Sequence, residues 1–123
     1  MRSINGGRPT ADEYASFFAG YIDRVPDGDI LAILQTQLDA THALLAPLSR
    51  VQALARPTPA DWNLLEVLGH ITDGEQVFAY RSLRIARGDP APLAGFEQDD
   101  YVRTAPGADR MLDNLRHDRV KKW

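Results

Sequence analysis

At 123 residues the chain fits a single domain, 1–123, long enough to bury a core without leaning on disulfides or metal. It has no cysteine, which excludes disulfides, thiolate metal sites and a cysteine nucleophile and suits a cytoplasmic location. A formal net charge of −3, no apolar run of membrane-spanning length and an N-terminus, MRSINGGRPT, without the apolar region of a secretory leader point away from nucleic acid, membrane and export.

Residues 1–9 read as a loose tail. Thr10 and Glu13 stand in a capping-box pattern and predict a first helix, with Tyr14, Phe17, Phe18, Tyr21 and Ile22 at helical spacing. It should end near Val25, ahead of Pro26 and Gly28. Asp27 or Asp29 caps a second helix whose apolar side runs from Ile30 to Leu48, with Pro47 at its frayed end. His42 on this helix has no ligand partner at a diagnostic spacing and reads as a core-edge residue. Residues 49–61 form a connector with at most one short turn near 51–54, because Pro57 and Pro59 forbid a longer helix.

Asn63 and Glu66 then form a second capping-box pattern, opening a third helix from Leu64 to about Arg87. Gly88, Asp89 and Pro90 stop it, and Arg81, Arg84 and Arg87 complement the dipole in its last turns. Gly74 is a weak point inside, costing about 1 kcal/mol relative to alanine. The stretch GDPAPLAGFEQDDY is predicted as a loop anchored by Phe96 and Tyr101; Glu97, Asp99 and Asp100 fall on it without calcium-loop spacing. A weaker fourth helix is predicted over 107–121, with Met111, Leu112 and Leu115 on its apolar side. The basic run 110–122 reads as its solvated end. No sustained alternation of apolar and polar residues competes, so the fold class is all-α.

The chemistry concentrates on the third helix. Helical spacing puts Glu66, His70 and Asp73 on one face, at i, i+4 and i+7. Imidazole is a common ligand for zinc, nickel and iron. A ligating histidine needs its second ring nitrogen held by a carboxylate, carbonyl or water. Glu66 or Asp73 suits that part, or Asp73 binds the metal directly. By residue type alone, one histidine among carboxylates is more often a solvated ion-pair face. The chain has no Gly-rich phosphate loop, nucleophile elbow or HExxH pattern.

The segment 61–100, DWNLLEVLGHITDGEQVFAYRSLRIARGDPAPLAGFEQDD, resembles the DinB-like family of small bacterial four-helix-bundle proteins, named for a DNA-damage-inducible founder. Trp62, His70, the pair Tyr80-Arg81, Arg84 and the loop 92–99 carry the likeness, which extends less sharply from about Phe17 to Arg119. Asn63 replaces the family's serine or threonine and keeps its capping role. The resemblance implies an up-and-down helical bundle. It also implies that His70 is one of three histidines holding a divalent metal (zinc, nickel or iron), the other two lying together on a later helix. No such pair precedes Trp123, and neither His42 nor His117 matches it. The expected fold therefore lacks the family's last long helix, and the expected metal site is incomplete and weak. By the same resemblance, members transfer a low-molecular-weight thiol to an electrophile or do related hydrolase or isomerase work on small molecules. A homodimer is expected, covering the apolar stripe that a missing helix would leave wet. The competing expectation is a non-catalytic, stress-associated bundle acting through its dimer surface. Tyr80 and Arg81 are expected to serve packing and a salt bridge to Glu75 or the acidic loop.

Overall fold

The computed structural model describes residues 7–105. The protein is all-α: the described residues hold a 3₁₀ turn, five α-helices and no strand. By its internal contacts the chain divides into two compact units, Met1–Leu45 and Ala46–Trp123, each taken by itself below. The expected helix over 107–121, with His117 and the basic run, lies outside the described residues.

The first unit departs from expectation at its start. Glu13 does reach back to the Thr10 amide, which donates to its carboxylate at 2.8 Å. The Thr10 hydroxyl, however, donates to Asp12 and Glu13 at 2.6 and 3.2 Å. The Glu13 amide donates to the Thr10 carbonyl, and the reciprocal half of the capping box is missing. Ala15 is extended, and the predicted single helix becomes a 3₁₀ turn, Ser16–Phe18, followed by α1, Ala19–Ile22. So short a helix has almost no turns over which to recover the cost of its nucleus. Arg8, expected in the loose tail, is fastened. Its guanidinium donates to the carbonyls of Ile22 and Val25, both at 2.6 Å, and pairs with Asp27 at 2.9 Å. With Asp27 so engaged, Asp29 caps α2, Ile30–Leu45, by accepting from the Leu31 amide at 3.0 Å.

The second unit opens with a cap that the connector reading left out. Ser49 and Gln52 form a reciprocal capping box on α3, Arg50–Leu54. Asn63 and Glu66 do the same for α4, Leu64–Ala86, as predicted. The two helices pack on each other. Ala53 and Leu65 are the buried apolar side chains there, beside the buried cap Asn63. At the far end of α4, Gly88 adopts φ 67°. Its amide bonds the Ile85 carbonyl and the Asp89 amide bonds the Arg84 carbonyl, both at 3.0 Å. This is a Schellman stop, in which only glycine avoids a Cβ clash.

The predicted acidic loop is corrected in its second half: residues Gln98–Thr104 form α5, which packs against α4. Glu97 caps it through the Asp99 amide, Asp99 and Asp100 lie in its first turn and Arg103 in its last, all favourable to the dipole. It ends because Ala105 precedes a proline and is extended.

Two glycines of this unit should respond oppositely to alanine. A Cβ at Gly74 meets nothing within 4 Å, so Gly74→Ala is expected to stabilise by up to about 1 kcal/mol. Gly88→Ala forces a Cβ into the left-handed region and should destabilise by about 1–2 kcal/mol. Urea unfolding midpoints of the two variants check both signs.

Candidate functional site

The start of α4 is where chemistry-bearing side chains gather. Its capping box fixes the helix entry and with it Trp62, the residue before the cap. The Trp62 ring lies against the His70 imidazole, with centroids 5.3 Å apart and planes at 57°. His70 is half-buried, and its Nδ1 is enclosed with no hydrogen-bond partner. Among the described residues no hydrogen bond holds the ring.

Glu66 faces another duty. Its two carboxylate oxygens accept from the two terminal nitrogens of Arg56, both at 2.7 Å, and Oε2 also accepts the Asn63 amide at 2.8 Å. Arg56 further donates to the Asp61 carbonyl at 2.6 Å. The Arg56 guanidinium holds the Glu66 carboxyl below the usual range, although partial burial pushes the other way. Asp73, the other expected supporting residue, is half-buried and has no hydrogen-bond or ion-pair partner among the described residues. Within those residues no group of three His, Cys, Asp or Glu side chains converges in a way that would hold a metal ion. The sequence thus indicated Glu66, His70 and Asp73 on one face, and their helix is in register. What it missed is Arg56. This arginine lies in the irregular connector, where no periodic signal announces a partner ten residues on.

Further along α4 two arginines hold the loop that follows. Arg84 pairs with Asp89 at 2.8 Å and donates to the carbonyls of Ala91 and Pro92 at 2.7 and 3.3 Å. Its guanidinium lies 5.7 Å from the Tyr80 ring centre. Arg84 holds the Asp89 carboxyl below its ordinary range, and the Ala91 amide adds to the effect. Arg81 donates to the Ala94 carbonyl at 2.7 Å and lies 5.7 Å from the Phe78 ring centre. The salt bridge expected of Arg81 is thus made by Arg84, while Arg81 binds backbone. Phe96 and Tyr101 pack ring to ring at 5.1 Å, closing the loop onto the start of α5.

A family model of the DinB superfamily matches residues 33–121, a span that takes in most of α2, all of α3 to α5 and every residue of the site. The chain belongs to the DinB superfamily. No curated protein and no solved structure matches it. In this DinB-superfamily chain no described helix is long and apolar enough to cross a membrane.

The Arg56–Glu66 pair sets a pH dependence. With its folded pKa depressed, Glu66 binds fewer protons folded than unfolded as pH falls through the carboxylate range. Its stabilising contribution is complete above the unfolded value of about 4.3 and is lost as pH drops through the lower folded value. Glu66→Gln should flatten this acid limb and lower stability at neutral pH. Urea midpoints at neutral pH and at several points below about pH 5 measure both effects.

Proposed function

We propose that this DinB-superfamily protein binds a divalent metal through His70 and is related to metal-dependent thiol transferases and hydrolases. The observation that carries the reading is the His70 imidazole itself. It sits half-buried in the second turn of a well-capped helix, its Nδ1 enclosed and unpartnered, with Nε2 as the nitrogen not enclosed. Asp73, without a partner on the same face, is the carboxylate best suited to support it, since Glu66 is committed to Arg56. These residues fit one arm of a metal site and do not complete it. A catalytic zinc typically takes three protein ligands, and the described residues offer no such group. In this reading the remaining donors come from outside 7–105 or from a second copy. A bound divalent cation would lower the pKa of a coordinated thiol or water. The chain's own part is to present one imidazole and one half-buried carboxylate on a rigid helix face. Calorimetric titration with zinc and with nickel tests the reading. The wild-type chain should bind, and His70→Ala should lose that binding while keeping its helical circular dichroism. Equal behaviour of the two proteins would end the metal assignment.

A second reading is supported by another observation on the same helix. Ile71, Phe78 and Ile85 recur at a seven-residue interval on α4 and are at least half exposed, a spacing that suits helix-to-helix packing. In this reading the protein is non-catalytic and stress-associated, and works as a homodimer. A cytoplasmic location, supported by the cysteine-free sequence, goes with either. Sedimentation velocity should then show a dimer for the wild type and a monomer for Phe78→Asp; a wild-type monomer at every concentration would exclude it.

A further inference from the structure

We infer that Trp62 is a positioning residue for His70, holding the imidazole in one orientation by ring contact where the usual polar restraint is missing. The inference deepens the metal-binding reading and rests on it for its affinity readout. A ligating histidine is ordinarily oriented by a hydrogen bond from its second nitrogen. Here that bond is absent, since Nδ1 is buried and has no partner. Glu66, one turn before it, does not supply it: its oxygens accept from Arg56 and the Asn63 amide, and none of its bonds reaches His70. The terminal torsion of a histidine is intrinsically broad, so an imidazole without a polar tie is free to rotate unless something packs on it.

Trp62 supplies that packing. Its ring centre lies 5.3 Å from the imidazole at a 57° tilt, within the range of favourable aromatic contact. The contact spans eight residues of sequence. Trp62 precedes the N-cap, and the extended backbone at Asn63 lets its long side chain lie back along the first two turns of α4. The capping box thereby sets the tryptophan, and the tryptophan sets the histidine.

The test compares Trp62→Leu with Trp62→Phe in the full chain, using two-dimensional NMR of the His70 ring and zinc titration. Circular dichroism confirms that α4 persists in each variant. Trp62→Leu should move the His70 ring-proton resonances and weaken zinc binding on the order of tenfold or more, the scale seen when a ligand's supporting partner is removed. Trp62→Phe, which keeps an aromatic face, should restore most of both. As a reciprocal check, His70→Ala should shift the Trp62 indole N–H signal. Unchanged His70 resonances in Trp62→Leu would overturn the inference, as would an equal zinc loss in the leucine and phenylalanine variants. If the wild-type chain binds no zinc yet the His70 ring, by its ring-proton NOEs, loses its single orientation in Trp62→Leu and keeps it in Trp62→Phe, the metal reading fails and the positioning role stands.

Discussion

One carboxylate ties the beginning of α4 together. Glu66 accepts the Asn63 amide and both terminal nitrogens of Arg56, while Asn63 returns the bond to the Glu66 amide at 2.9 Å. The first amides of a helix have no partner within the helix, and here a buried asparagine is acceptable because its cap bonds are made on both sides. Arg56 adds the Asp61 carbonyl to the same knot. The irregular connector is thus stitched to the helix that follows it, at the point where α3 and α4 pack over Ala53 and Leu65. The direction in which the chain enters α4, the seat of Trp62 and the surroundings of His70 all follow from this knot.

The other end of α4 uses the same physics with the roles reversed. There the unsatisfied groups are carbonyls, and the partners are guanidinium donors. A guanidinium offers five N–H groups in a fixed fork and no acceptor, which suits it to a loop that presents oxygens. Arg84 takes Asp89 and the carbonyls of Ala91 and Pro92, and Arg81 takes that of Ala94. A proline-rich segment has few amides to donate and many carbonyls to satisfy. Two arginines three residues apart on one helix face hold it in place and deliver Phe96 to Tyr101.

How far the sequence could be read depended on whether a signal was local. Both ends of α4 were legible because Asn63 with Glu66, and Gly88 with Asp89 and Pro90, act within a few residues of where they stand. α5 was missed because its first turn is acidic and its segment follows two prolines, so composition spoke for a loop. The dipole argument that favours Asp99 and Asp100 in a first turn was there to be used. The first helix was overestimated for a subtler reason. The Thr10 and Glu13 pattern is half made: Glu13 accepts the Thr10 amide, while its own amide bonds the Thr10 carbonyl as in a turn rather than the hydroxyl. In the site, the shared face of Glu66, His70 and Asp73 was legible from helical period, while a ligand role for His70 came only from the family resemblance. The partner of Glu66 was not, because Arg56 reaches it through an irregular connector.

The half-buried stripe of α4 carries a functional argument of its own. Glu66, His70, Asp73, Val77, Arg81 and Arg84 follow one another at three- and four-residue steps and are all partly shielded, while Ile71, Phe78 and Ile85 lie exposed. Shielding charged groups is unfavourable unless each finds a partner. At the two ends of the stripe the charges find partners: Glu66 is matched by Arg56, Arg84 by Asp89 and two carbonyls, and Arg81 by the Ala94 carbonyl, although the buried Arg81 Nε has none among the described residues. In the middle they do not. His70 keeps an unpartnered buried nitrogen, and Asp73 has no partner among the described residues. This leftover polarity, more than their helical spacing, is what supports the ligand role proposed above for His70.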